Sequence, residues 1–262
     1  MMIGEINMTL KERLRNGERV YGTMVRIQRN PAYCIIAKNA GMDFILFDCE
    51  HGNYNMETMH DMFQMAHVLG LHAMLRVPML DKESISRYLD AGAKGVMVPM
   101  TETAEQAQEI VHWSKYPPIG ERGYGSGIGA SYYRTGLNSM DAMREINDTV
   151  LSIAQIETKL AIENCEEIIS TEGIDAVIIG PNDLSISLGI PGQLTSDLEL
   201  DAIRKVAQTC KKYNKGFGIH GPEKLNQIFA EYINLCAFST DTECLINGMK
   251  SMKERMVGWS QS

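Results

Sequence analysis

Long apolar runs are missing from this 262-residue chain. No stretch reaches the roughly 18 consecutive hydrophobic residues of a membrane-spanning helix, so no membrane partner is expected. An excess of positive charge is missing as well. Against 33 Asp and Glu stand 25 Lys and Arg, a net charge of -8, and the acids are spread along the chain. Nucleic acid is therefore excluded as a partner, because phosphate-backbone binding needs a concentrated cationic face. The six cysteines, Cys34, Cys49, Cys165, Cys210, Cys236 and Cys244, are far apart and form no CxxC pair. That excludes a zinc ribbon or a disulfide framework and suits a reduced, cytoplasmic protein. The opening MMIGEINMTLKERLRNGE has early acids and lacks the apolar centre of a secretory signal.

The phosphate-binding glycine patterns are also absent. GTMVRIQRNP, following the first candidate strand, contains no GxGxxG, which argues against an open doubly wound dinucleotide fold. The stretch GYGSGIG at 123–129 fails both GxSxG and Walker A spacing and reads as a flexible active-site loop in the long fourth connection.

What is present is a regular alternation of short apolar runs with longer amphipathic ones. Candidate strands are Val20–Val25, Phe44–Phe47, His72–Val77, Gly95–Pro99, Val150–Ile156, Ala176–Ile179, Gly216–Ile219 and Leu235–Phe238. Runs such as GVMVPM and AVIIGP are apolar throughout, as parallel strands covered on both faces are. Helix-like stretches lie at Pro31–Asn39, Met56–Leu69, Lys82–Asp90, Ala104–Ser114, Leu160–Ser170, Leu198–Tyr213, Glu223–Ala230 and Glu243–Met256, and eight units of roughly 30 residues fill the chain. The expected fold is α/β, a single (β/α)8 TIM barrel over residues 1–262, with 44% hydrophobic residues to build its core. The 18 methionines read as core filling and adaptable loop surface.

Chemistry in such a barrel gathers at the C-terminal ends of the strands, so the polar residues just past each run are the candidates. Strand two leads into Asp48-Cys49-Glu50-His51-Gly52, strand three ends at Arg76, and strand five ends Gln155-Ile156-Glu157. Strand six runs into Gly180-Pro181-Asn182-Asp183, and strand eight into Ser239-Thr240-Asp241. Glu157 and Asp183 lie one βα unit apart, which sets two carboxylates on adjacent strand ends. Such a pair, without His or Cys beside it, suits a hard divalent cation that keeps sites open for substrate oxygens. A single acid there would more often cap a helix; the pair is what points to metal.

His51 follows Asp48 by three residues, close enough for the carboxylate to fix the imidazole tautomer. The other five histidines, His220 among them, read as structural. Arg76 in a barrel mouth calls for an anion or a developing oxyanion, or for a salt bridge to Asp90, and the two roles are compatible. The Gly180–Asp183 segment offers free N–H groups to a carboxylate. Schiff-base chemistry would need a lysine inside a strand, whereas Lys94 and Lys215 precede their strands and Lys159 follows strand five on the helix side.

Four motifs in order, GMDFILFDCEHG (41–52), LRVPMLDKESISRYLDAGAKGVMVPM (75–100), YPPIGERGYG (116–125) and QIETKLAIENCEEIISTEGIDAVIIGPNDLSISLG (155–189), resemble the class II, metal-dependent 2-keto acid aldolases of the HpcH/HpaI aldolase family. That group includes the 2-dehydro-3-deoxyglucarate and 4-hydroxy-2-oxoheptanedioate aldolases. The resemblance implies a pyruvate-type barrel whose last helix is exchanged between subunits, in a hexamer built as a trimer of dimers. It implies a divalent cation, Mg2+, Mn2+ or Co2+, on Glu157 and Asp183, with Gln155 supporting them. Arg76 would contact the keto oxygen of pyruvate, and an Asp48/His51 dyad would activate a water as base. Asp90 would orient the base or the arginine. Backbone amides near Gly180, Asn182 and Asp183 would take the pyruvate carboxylate.

The implied reaction is reversible cleavage of a 4-hydroxy-2-oxo acid to pyruvate and an aldehyde. A lyase acting on acyl-CoA or citryl substrates, and a non-catalytic barrel that binds a keto acid, are the alternatives. GSGIGASYYR, AFSTDTECL and His220 depart from the family pattern where the aldehyde end would be selected.

Overall fold

A computed structural model describes residues 8–259. Eight parallel strands, β1 (Val20–Val25), β2 (Phe44–Asp48), β3 (His72–Arg76), β4 (Gly95–Val98), β5 (Leu151–Ile156), β6 (Ala176–Ile179), β7 (Gly216–Ile219) and β8 (Leu235–Thr240), form one sheet ordered β7-β6-β5-β4-β3-β2-β1-β8. The sheet curls into a nearly closed barrel. Its two ends meet where Asn234 N–H donates to the Phe217 carbonyl at 3.1 Å and Phe217 N–H donates to Asn234 Oδ1 at 2.8 Å. Gly218 permits this approach, since a Cβ there would stand 2.3 Å from the Leu235 carbonyl oxygen.

The helices are α1 (Leu10–Arg15), α2 (Ala32–Asn39), α3 (Met56–Val68), α4 (Lys82–Asp90), α5 (Ala104–Ser114), α6 (Ser139–Thr149), α7 (Lys159–Glu163), α8 (Cys165–Ser170), α9 (Pro181–Ser187), α10 (Asp197–Lys212), α11 (Glu223–Ile228) and α12 (Asp241–Gly258). Side-chain hydrogen bonds to the opening turn start most of them. Thr9, Thr103 and Thr240 make full capping boxes with Glu12, Gln106 and Glu243.

The strand positions match the sequence expectation closely, and so do most of the helices between them. Helices α1, α6 and α9 lie outside the helix-like stretches of the sequence, and the stretch Leu160–Ser170 is broken at Asn164 into α7 and α8. The glycine-rich 123–129 segment follows α5, so it lies on the side where helices feed into strands, away from the strand C-termini. Gly129 packs against the carbonyls of Asp90 and Ala91 at the end of α4, where a Cβ would come within 2.7 Å of each oxygen. The expectation of an active-site loop within this chain is therefore corrected.

Because strand side chains alternate, each strand feeds two cores. Met24, Phe44, Leu46, Met74, Met97, Ile153, Ile178 and Ala237 fill the barrel interior. Ile45, Phe47, Ala73, Leu75, Val96, Val98, Ala154 and Val177 pack outward against the helices. Leu10 and Leu14 of α1 cap the interior from the strand N-termini. Beside them the buried Asp175 carboxylate accepts from Lys11 Nζ at 2.9 Å and Lys115 Nζ at 2.8 Å. That end is sealed by chain and charge, which leaves the opposite end as the open one. Among the described residues no helix is long and apolar enough to cross a membrane, and all six cysteines are unpaired.

Candidate active site

The interior alternation continues one step beyond the apolar core, and there the side chains become polar. Phe44 and Leu46 are followed by Asp48, Met74 by Arg76, Leu151 and Ile153 by Gln155, Ala176 and Ile178 by Gly180, and Met24 by Arg26. A cavity of about 130 Å3 opens on this layer, lined by Arg26, Arg76, Gln155, Asn182 and His220 among others. A wider one, about 590 Å3, lies over Glu157 and Glu102. Asp183 lines both.

On the β5–β6 side, Glu157 is buried while Asp183 is exposed in the first turn of α9. Glu157 Oε1 accepts from Met100 N–H at 2.8 Å, and its Oε2 accepts from Gln155 Nε2. Met100 turns that N–H inward from the left-handed region, at φ 51°. Such a conformation costs a residue with a Cβ about 1–2 kcal/mol. Gly180 is required here: a Cβ would stand 2.2 Å from Glu157 Oε2. Burial raises the Glu157 carboxyl to about 7; the Met100 N–H works against this and the charge of Asp183 adds to it. Gln155 Oε1 is buried without any hydrogen-bond partner. Among the described residues no three His, Cys, Asp or Glu side chains gather as a metal site. What this wall offers is two carboxylates, one of them poorly solvated, and an orphaned amide oxygen, all hard donors. The N–H groups of Asn182 and Asp183 open α9 and have no partner inside the helix.

The β2–β3 side is an ion network. Strand register sets Asp48 directly beside Arg76. Arg76 grips the fully buried carboxylate with both arms, Nε to Oδ1 at 3.0 Å and Nη2 to Oδ2 at 2.7 Å, and its Nη1 reaches Glu50 at 3.1 Å. Arg26 Nε adds a contact to Asp48 Oδ2 at 2.9 Å. Burial by itself would raise the Asp48 carboxyl, but Arg76, the His51 N–H and Arg26 outweigh it and hold it below its usual value.

Several expectations change on this geometry. Asp48 does not meet the imidazole of His51; its Oδ1 accepts from the His51 backbone N–H at 3.1 Å. The imidazole is exposed, with Nε2 3.8 Å from Glu50. Asp90 is not paired with Arg76. It ends α4 at the far end of the barrel, bonded to Arg122 Nη2 at 2.6 Å. The three lysines weighed for Schiff-base chemistry lie off the inner cavity. Lys94 stands over the Tyr132 ring, Lys215 donates to the Ile174 carbonyl, and Lys159 is exposed beside Glu163.

Arg26, Glu50 and His220 line or support the site without having been assigned a part in it. The period-two series Val20, Gly22, Met24 predicts Arg26 as the next inward residue, and Gly216, Gly218 predicts His220. Glu50 stands in the polar run just past strand two, but its pairing with Arg76 comes from the turn and not from strand alternation.

A family model described as HpcH/HpaI aldolase/citrate lyase matches residues 26–247. A 2-keto-3-deoxy-L-rhamnonate aldolase from Escherichia coli is 35% identical over 237 residues, covering 88% of this chain and 86% of its own. An HpcH/HpaI aldolase from Desulfitobacterium hafniense superposes with a TM-score of 0.88 at 31% identity, covering 95% of this chain and 96% of that one. The citrate synthase SbnG is 26% identical with a TM-score of 0.84, covering 97% and 99%. With most of its length matched in both sequence and fold, the chain is an enzyme of the HpcH/HpaI aldolase/citrate lyase family.

Proposed function

We propose that this enzyme is a divalent-metal-dependent aldolase that reversibly cleaves a 4-hydroxy-2-oxo acid into pyruvate and an aldehyde. The observation that carries the reading is the buried Glu157 carboxylate beside Asp183, with Arg76 presented from the opposite wall of the same cavity layer. The donors fit a hard cation such as Mg2+, Mn2+ or Co2+: all are oxygens, and the Gln155 Oε1 has no partner. Held by Glu157 and Asp183, such a cation would supply Lewis acidity to the substrate.

The remaining work falls to this chain's own groups. Backbone N–H groups of Asn182 and Asp183 at the start of α9 receive the substrate carboxylate. Arg76 spends three of its five N–H bonds on Asp48 and Glu50, which leaves two to face the keto oxygen. As the C3–C4 bond breaks, its electron pair moves toward C3 and the keto oxygen gains charge, and these donors are already oriented. The C4 hydroxyl proton leaves through a water to His51, whose exposed ring stands at the rim. Asp48 then acts on the turn that carries His51 and on Arg76, rather than on the imidazole. Asp90 serves a site like this one only from a neighbouring copy, given its place at the other end of the barrel.

The test is pyruvate release from a panel of 4-hydroxy-2-oxo acids. Activity is expected to vanish with a chelator and return with added Mg2+, Mn2+ or Co2+. Full activity after exhaustive chelation, or pyruvate trapped on a lysine by borohydride, would overturn the reading.

The last helix supports exchange with a second copy, within the hexamer that the family resemblance implies. Of α12 only Asp241 is buried, and Leu245, Ile246, Met249, Met252 and Met256 are exposed along it. Beside β8, a cavity of about 270 Å3 is lined by Ile233, Cys236 and Phe238. A helix from a second copy would cover both surfaces. Sedimentation at micromolar concentration is expected to show about six chains, with smaller species for Met249→Lys. A native monomer under those conditions sinks the exchange.

A further inference from the structure

Pyruvate formation uses one arginine of the inner cavity, and the cavity has two. Arg26 continues the inward series of β1 at the mouth, and both its backbone and its side chain are fixed. Asp241, only 1% exposed, accepts from the N–H groups of Arg26, Ile27 and Gln28, each at 3.0 Å. The side chain is held by its Nε bond to Asp48. Among the described residues its two Nη groups have no hydrogen-bond partner, so four of its five N–H bonds remain available.

Neutralising Asp48 does not require this arrangement. Arg76 already holds both oxygens of that carboxylate in a fork. A second guanidinium on the same group, with three backbone bonds fixing the turn beneath it, is positioned for something that enters the cavity. Arg26 is 39% exposed at its side chain, at the solvent side of the layer whose floor is the nearly buried Arg76.

His220 lines the same cavity from β7. Burial, aided by the charges of Arg26 and Arg76, lowers its pKa and keeps the ring neutral near pH 7. Its Nδ1 lies 3.4 Å from the Ala237 carbonyl, which leaves the other ring nitrogen for a polar contact. The charge on this wall is thus that of Arg26.

We infer that Arg26, with His220 beside it, determines specificity by receiving a carboxylate at the far end of the hydroxy-oxo acid, so that the aldehyde released is an acidic one. The inference rests on the aldolase reading of the site and names the substrate class for it. The planar, two-armed guanidinium matches a carboxylate better than a lone hydroxyl.

The experiment compares two six-carbon ligands that lack the 4-hydroxyl and so are not cleaved: 2-oxoadipate, with a terminal carboxylate, and 2-oxohexanoate, with a terminal methyl. Calorimetry with the metal-loaded enzyme is expected to show 2-oxoadipate bound about tenfold or more tightly, the scale of a hydrogen-bonded charge pair. Arg26→Gln should bring the ratio near one, and Arg26→Lys, which keeps the charge, should restore part of it. In the condensation direction, the kcat/KM ratio of succinic semialdehyde over butanal with pyruvate should fall in parallel. No preference in the native enzyme, or a preference that survives Arg26→Gln in a protein with native circular dichroism, overturns the inference while leaving the aldolase standing. Failure of both ligands to bind, together with no condensation of either aldehyde, overturns the aldolase reading and the inference with it.

Discussion

Glu157→Ala and Asp183→Ala are each expected to bind no divalent cation where the native chain binds one, and to release pyruvate on the order of 1000-fold more slowly or less. Several kcal/mol of charge stabilisation would go with the cation, which corresponds to that scale. The two carboxylates do not contribute alike. Glu157 is buried and pushed up to about 7, so in the metal-free protein it holds a proton at lower pH and the cation must displace it. Native cation binding should therefore weaken as pH falls through about 7 and should release a proton there. Calorimetry in buffers of different ionisation enthalpy reads that proton directly.

The sign for stability follows from the same shift. A carboxyl whose folded value lies above its ordinary 4.5 favours folding when protonated, so the metal-free protein should lose stability as pH rises from about 4.5 to 7. Glu157→Gln removes that loss while keeping an oxygen for the Met100 N–H, and should melt no lower than the native metal-free protein at pH 8. A variant that folds this well yet binds no cation separates lost ligation from lost structure. Retained metal stoichiometry in both alanine variants means that other groups hold the ion.

The strands and the adjacency of Glu157 and Asp183 were legible because both follow from spacing alone. A buried parallel strand is a short apolar run, and one βα unit brings consecutive strand ends together. The partners of Asp48 were not legible by the same reasoning. Nearness in sequence suggested the His51 ring, whereas the turn after β2 uses that closeness for a bond to the His51 backbone, and strand register delivers Arg76 to the carboxylate. Asp90 misled for a related reason. It closes a nine-residue helix, which carries the chain roughly 13 Å back toward the strand N-termini, so closeness in sequence to Arg76 is distance in space. Arg26 was within reach of the sequence, since counting by twos along β1 arrives at it, but only knowledge that the barrel interior turns polar at that layer gives the count a meaning.

Arg76→Lys is expected to slow both aldol cleavage and exchange of the pyruvate C3 proton, each by about 100-fold or more, the usual scale for losing a preorganised oxyanion donor. Lysine is the informative replacement. Arg76→Ala would leave the fully buried Asp48 short of its main partner, and breaking a buried pair costs about 3–5 kcal/mol, so lost activity there could reflect lost folding. Lysine keeps the charge beside Asp48. It cannot, however, hold both carboxylate oxygens, reach Glu50 and still offer oriented donors to the keto oxygen, because an ammonium lacks the fixed fork of a guanidinium. Cleavage and exchange pass through the same enolate, so a group that stabilises its oxygen must affect both. His51 provides the contrast. Its assigned task is the proton of the C4 hydroxyl, which pyruvate does not have, so His51→Ala should slow cleavage by about 100-fold, the scale of a lost general base. The ratio of cleavage to exchange in each variant then separates the two assignments. Normal exchange in Arg76→Lys reduces that arginine to a partner of Asp48 and Glu50, and native cleavage in His51→Ala leaves the exposed imidazole without a part in the reaction.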